Sequence, residues 1–175
     1  PNFAQVIKGT TLDSILEYFP ASEHSAIVNK IKEYEKQMLY PIFPGVIEFL
    51  TALRSEGFRT AIVTSSGEAK MKRLWEQQPE LKTYFDTIIT DADVQRSKPD
   101  PQGYLLAAER IGCKPERSYV FEDSFNGLLA GQRAGGRVVG LATTNPASSL
   151  QGKADLIIDS FVSFTPSMLP KLCEK

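Results

Sequence analysis

An α/β fold built on a parallel sheet, with helices over both faces, is the architecture this sequence predicts. Three observations carry it. Strand-like and helix-like segments alternate from about residue 59 to residue 159. The strand segments, such as Ala61-Ile62-Val63 and Val138-Val139-Gly140-Leu141, are almost continuously apolar, as strands covered on both faces are. Polar and charged residues collect just past these segments, where open parallel sheets bind their ligands. The pattern is Rossmann-like.

The elements follow in order. Thr10 or Thr11 caps a short helix running to Phe19, with Leu12, Ile15, Leu16 and Phe19 on one face, and Pro20 stops it. Ser22 starts a second helix, with Ile27, Ile31, Tyr34 and Met38 as its apolar stripe. Residues 1–40 therefore read as a small helical module, and Pro41 and Pro44 stiffen the link to residues 41–175. Pro44-Gly45 opens the next helix and Gly57 closes it. Strand 59–63, helix 68–77, strand 87–90 and helix 101–111 come next, the last stopped by Gly112. Strand 118–121, helix 124–134 with Gly135-Gly136 behind it, strand 137–142 and strand 156–159 complete the alternation.

Composition excludes several classes of function. The 20 basic and 21 acidic residues nearly cancel, so nothing marks a surface for nucleic acid or an anionic membrane. No apolar run approaches a membrane span, and no signal-peptide pattern is seen. Cys113 and Cys173 are isolated and read as small core or helix residues, which places the chain in a reducing, cytoplasmic setting. His24, the only histidine, lies in a charged helical stretch and reads as a solvated helix residue. A histidine-activated nucleophile and a zinc site of several His or Cys ligands are thereby disfavoured. Chemistry falls to carboxylates, lysines, hydroxyls and backbone.

Those groups gather after three strands. The run Tyr119-Val120-Phe121 ends in Glu122-Asp123, with Ser124 behind it. Two acids at a strand end can hold a hard cation such as Mg2+, although Asp123 or Ser124 also suits a helix cap. Thr64-Ser65-Ser66-Gly67 offers hydroxyls and backbone N–H groups for an anion, or an ordinary cap. Asp91 and Asp93 precede Ser97-Lys98-Pro99-Asp100-Pro101, in which Pro99 extends Lys98 just upstream of a helix. Thr143-Thr144-Asn145-Pro146 carries no signal of its own. An anion cradle, a lysine and a carboxylate pair together fit phosphoryl chemistry. Neither G-x-x-x-x-G-K-[ST] nor a G-x-G-x-x-G after a strand occurs, against a P-loop nucleotidase or a dinucleotide-binding module.

Thr64-Ser65-Ser66, Ser97-Lys98-Pro99-Asp100-Pro101 and Phe121-Glu122-Asp123-Ser124-Phe125-Asn126-Gly127, in that order, resemble motifs two, three and four of the haloacid dehalogenase-like hydrolases. Within them the sequence is most similar to the β-phosphoglucomutase-like phosphatases, which insert a helical cap after the first strand. The resemblance implies that Thr64 hydrogen-bonds the phosphoryl group, Lys98 stabilises negative charge, and Asp123 ligates magnesium with Glu122 in support. Residues 7–14, Ile-Lys-Gly-Thr-Thr-Leu-Asp-Ser, resemble the cap's substrate-specificity loop, which adds Lys8 and Gly9 to Thr64, Ser65, Ser66 and Lys98 as phosphate-site candidates. A cap lysine, Lys8 or Lys36, could instead grip a distal phosphate.

One family motif is absent. No Asp-x-Asp-x-Thr occurs, and Asp91-Ala92-Asp93 lacks the threonine and the place. That motif closes the family's first, central strand, between the strands ending at Val63 and Phe121, and carries the nucleophile. The expectation is a chain lacking that strand, inactive by itself, from a magnesium-dependent phosphatase of a small phosphorylated metabolite, a sugar phosphate before others. The alternatives are a phosphomutase and a phosphate-binding or regulatory module without a nucleophile. Mutases of the family carry an arginine where Thr11 or Leu12 stands here, which favours hydrolysis; the metal-binding pair disfavours a dehalogenase.

Overall fold

The computed structural model describes residues 3–170. Three helices come first: α1 (Phe3–Ile7), α2 (Leu12–Leu16) and α3 (Ala21–Gln37). Thr11 caps α2, its hydroxyl accepting the Ser14 N–H, but the helix ends at Leu16 rather than Phe19. Pro20 disfavours a helical conformation at the residue before it, so the chain unwinds early. The Phe19 ring then meets the Phe3 ring edge-on at 5.8 Å, and the Phe19 carbonyl lies 2.9 Å from His24 Nε2. His24 is thus half-buried and engaged rather than simply solvated. The stripe expected on α3 is buried only in part: no residue of the helix is fully covered, and Tyr34 and Met38 are exposed. Of the two cysteines, Cys113 is half-buried and free, and Cys173 lies outside the described residues.

The alternation that follows matches the expected elements within a residue or two. α4 (Val46–Ser55) precedes β1 (Ala61–Val63), α5 (Glu68–Gln77), β2 (Thr87–Ile89) and α6 (Gln102–Arg110). Then come β3 (Tyr119–Glu122), α7 (Phe125–Ala134), β4 (Arg137–Leu141), α8 (Ala147–Leu150) and β5 (Leu156–Ile158). The short α8 occupies what reads in sequence as loop.

Among the described residues every strand pairing is parallel, and the strands form two groups. β1 pairs with β2, Ile62 opposite Ile88; β4 lies between β3 and β5, with Glu122 opposite Gly140 and Gly140 opposite Ile157. Among the described residues β1 and β3 do not pair with each other. A cavity of about 830 Å³ lies between them, lined by Ala61 and Val63 on one side, Val120 and Phe121 on the other, and Phe49 and Ala107 from the helices.

Burial explains which elements hold firm. Val138 and Val139 of β4 are fully covered, and Leu128 of α7 and Leu150 of α8 share a cluster with Val138 and Val120. Side chains of this size contribute about 1.5–3 kcal/mol each when fully buried. A second cluster stacks Phe49 of α4 against Phe121, Phe161 and Phe164, ring centres 5.2–5.4 Å apart. α7 starts where β3 ends because Ser124 caps it, accepting the Gly127 N–H at 3.0 Å. Gly127 is required there, since a Cβ would overlap the Glu122 carboxyl group.

Candidate active site

Glu122, the last residue of β3, points inward. Its Oε1 accepts from the ammonium of Lys98 and, at 2.5 Å, from the Tyr104 hydroxyl of α6. Its Oε2 accepts from the Ser124 hydroxyl at 3.1 Å and the Asp123 N–H at 3.3 Å. Both side chains of the Lys98–Glu122 pair are only 10% exposed. Burial and then the Glu122 charge hold the Tyr104 hydroxyl well above its ordinary pKa, so it remains a donor.

Lys98 also donates to the Val63 carbonyl at 3.1 Å, so one ammonium ties the end of β1 to the end of β3. A lysine has three donors, and these two contacts leave one for a further oxygen. The peptide from Lys98 to Pro99 is cis, and Asp100 accepts the Gln102 N–H at 2.9 Å and the Arg96 guanidinium at 2.6 Å. Those contacts, the Arg96 hydrogen bond foremost, draw the Asp100 pKa down against the burial that raises it.

Thr64, Ser65, Ser97 and Lys98 line one small cavity of about 10 Å³, room for a single water. The cradle expected of Thr64-Ser65-Ser66 is less open than its sequence implies. The Thr64 N–H donates across to Ile89 O of β2 at 2.9 Å and the Ser66 N–H to Thr64 Oγ1 within the loop at 3.1 Å, which uses two of its donors. The hydroxyls do not cap α5 either; Gly67 takes that position.

Asp123 faces the other way. Its Oδ2 accepts from Lys8 Nζ and from the Thr144 hydroxyl, each at 2.6 Å, and Lys8 reaches Thr144 Oγ1 at 2.5 Å. Burial pushes its pKa up, but the Lys8 and Thr144 hydrogen bonds and the Lys8 charge outweigh that and hold it low. Asn145, buried, donates to the Asp123 carbonyl at 2.9 Å. The loop carrying Lys8 is docked on the same strand ends: Ser65 Oγ donates to Gly9 O at 2.6 Å, and Ser14 and Ser97 share a hydrogen bond of 2.8 Å.

Lys8, Gly9, Thr64, Ser65, Lys98, Glu122 and Asp123 are thus brought together. Lys36 is not: it lies exposed in the last turn of α3, its carbonyl accepting from Arg73 of α5. Asp93 is structural, closing a capping box with Thr90 and pairing with Arg110 at 2.7 Å. The sequence gives no role to Asn126 within its motif, and none to Tyr104, Thr144 and Asn145. Lone polar residues in a helix or loop give no signal until the fold shows what they face.

No three His, Cys, Asp or Glu side chains converge among the described residues. Glu122 is taken up by its buried donors. Asp123 is an ionised carboxylate already facing a cation, the Lys8 ammonium, so it fits one ligand position of a magnesium site.

Against known proteins, the family model described as haloacid dehalogenase-like hydrolase matches residues 2–141. The validoxylamine A 7'-phosphate phosphatase of Streptomyces hygroscopicus subsp. limoneus is 36% identical over 65% of this chain and 53% of its own length. The phosphoglycolate phosphatase of Salmonella typhimurium is 32% identical over 87% of this chain and 62% of its own. A phosphorylated carbohydrates phosphatase of Thermotoga maritima is 39% identical over 53% of this chain and 42% of its own. The chain spans about half the length of the curated relatives it matches. A HAD hydrolase of family IA, variant 3, from Entamoeba histolytica shares the fold at a TM-score of 0.80 and 22% identity, covering 94% of this chain and 79% of that one. The β-phosphoglucomutase of Clostridium difficile does so at 0.77 and 21%, covering 94% and 78%.

Proposed function

This chain belongs to the haloacid dehalogenase-like hydrolases, and from that premise we propose that its site serves a magnesium-dependent phosphatase of small phosphorylated metabolites. The observation that carries the reading is the double tie of Lys98, to Val63 O at 3.1 Å and to Glu122, at the carboxyl ends of two parallel strands flanking a cavity. A further strand in that cavity would meet β1 and β3 as parallel neighbours. An aspartate closing it would emerge beside Lys98 and Thr64, where ligands of such sheets bind.

In this reading the aspartate attacks phosphorus, the alcohol leaves, and water then cleaves the aspartyl phosphate. Lys98 offsets the charge of nucleophile and phosphoryl oxygens with its third donor, and the Thr64 hydroxyl donates to one of those oxygens. Asp123 would hold the magnesium ion, which supplies further charge neutralisation when bound. Residues 1–40 act as the cap and residues 41–175 as the core. A relative named for phosphorylated carbohydrates supports a sugar phosphate as the substrate class. Hydrolysis is favoured over a mutase reaction because Thr11 and Leu12 put no guanidinium in the cap loop, Thr11 instead capping α2. A reducing, cytoplasmic setting suits the free thiol of Cys113.

The test is phosphate release from an aryl phosphate, with and without magnesium, by residues 1–175 and by a longer protein carrying an aspartate-ended strand for the cavity. Release by the longer protein alone is expected, falling about 100-fold or more in Asp123→Asn, as loss of one charge-stabilising group does. Equal release by residues 1–175, or full turnover in Asp123→Asn, would overturn the reading.

A further inference from the structure

Asn126 stands in the first turn of α7, three residues past Asp123, and its side chain leaves that helix for another part of the chain. One hydrogen of Nδ2 goes to Val6 O at 2.7 Å and the other to Lys8 O at 2.9 Å. These carbonyls flank Ile7, the last residue of α1, where helix carbonyls lack intrahelical partners. A single amide therefore caps α1 and grips the backbone at Lys8. The next residue, Gly9, has φ +84° and lies so close to α7 that a Cβ would come within 2.5 Å of Ser124 Oγ. From the far side Ser65 Oγ donates to Gly9 O at 2.6 Å.

Two kinds of tie thus hold the loop. The Lys8–Asp123 pair joins a side chain 38% exposed to one 30% exposed, and such pairs contribute little net stability. The Asn126 and Ser65 contacts grip backbone and need no charge. We infer that Asn126 is a positioning residue: its amide fixes residues 6–9 on the turn after Asp123 and sets how far Lys8 reaches. Lys8 can then exchange Asp123 for another anion without the loop leaving its seat. Position 126 thereby belongs to the determinants of what the loop presents to a ligand, a role that goes beyond the phosphatase reading and does not rest on it.

Hydrogen exchange on the whole protein tests this, with the N–H groups of Lys8 and Thr10, bonded to Ala4 O and Ile7 O, as reporters. In Asn126→Ala both should exchange about tenfold faster or more, as loss of one or two net hydrogen bonds implies. The N–H groups of Val139 and Gly140 in β4 should not change. Asn126→Asp, of the same size but without the donors, should act alike, whereas Lys8→Met should change the reporters less than about threefold. Unaltered reporters in both Asn126 variants would overturn the inference. So would an effect of Lys8→Met equal to that of Asn126→Ala, acceleration extending to β4, or reporters already unprotected in the wild type. No arm uses metal, substrate or turnover, so failure here and failure of the phosphatase reading remain separate.

Discussion

Glu122 and Asp123 are neighbours in sequence and each meets a lysine, yet the two pairs are built differently. Lys98–Glu122 is 10% exposed on both sides, and each Glu122 oxygen accepts further donors from Tyr104, Ser124 and the Asp123 backbone. Lys8–Asp123 is 38% and 30% exposed, and the Asp123 oxygen that meets Lys8 also accepts from the hydroxyl of Thr144, itself exposed. Burial makes the first pair part of the framework. Access to solvent makes the second a place where cations can exchange. A carboxylate pair at a strand end is therefore not two equivalent groups: one acid anchors the buried Lys98, and the other faces outward to the half-exposed Lys8.

Removing each lysine in turn should break this symmetry most visibly. Lys98→Met strands a buried Glu122 charge, a loss of about 3–5 kcal/mol for one partner of a buried pair. Lys8→Met removes an exposed partner and should cost about 0–1 kcal/mol. Urea unfolding of both variants reads the difference directly. Equal midpoints would show that burial does not separate the two sites.

A finer cut removes one neutral donor from each carboxylate. Tyr104→Phe takes the phenol from a buried, charged acceptor, and hydrogen bonds to charged groups are worth about 1.5–3 kcal/mol. Thr144→Val takes a hydroxyl from an acceptor that water can reach and should cost about 0.5 kcal/mol, at the low end of the range. Tyr104→Phe falling no further than Thr144→Val would place the Glu122 network nearer to solvent than its geometry shows.

The frame of this comparison was legible in the sequence. Continuously apolar strands, glycine stops and a capping serine located β3 and α7 to within a residue, because local propensity and tertiary packing agree there. The three strand-end motifs located Thr64, Lys98, Glu122 and Asp123. Sequence could not show that Glu122 turns inward, since that follows from the missing Cβ at Gly127 and from Tyr104 on a helix 18 positions away. It read Thr143-Thr144-Asn145-Pro146 as silent, because a threonine and an asparagine acquire meaning only by lying against Asp123 across 21 and 22 residues. The α2 boundary was misplaced for the opposite reason: a local apolar pattern ran on to Phe19 while Pro20 and the Phe3 ring drew that residue out of the helix. Lys36 was a charge on a helix face, and nothing local says which face meets a site.

The smallest effect concerns protons. Burial raises the Asp123 pKa, but the Lys8 and Thr144 hydrogen bonds and the Lys8 charge prevail, so the folded value lies below the unfolded one. A depressed carboxylate contributes its stability in full above its unfolded pKa of about 3.9 and loses it as pH falls through the folded value. Lys8→Met removes the hydrogen bond and the charge that Lys8 contributes to the depression and leaves the Thr144 hydrogen bond. The stability gap between wild type and Lys8→Met, at most about 1 kcal/mol near pH 6, should therefore close on acidification below about pH 4. Parallel urea titrations at several pH values would show the closing gap. A gap that persists under acid would mean that Lys8 holds the loop through its stem and its bond to Thr144 rather than through the charge of Asp123.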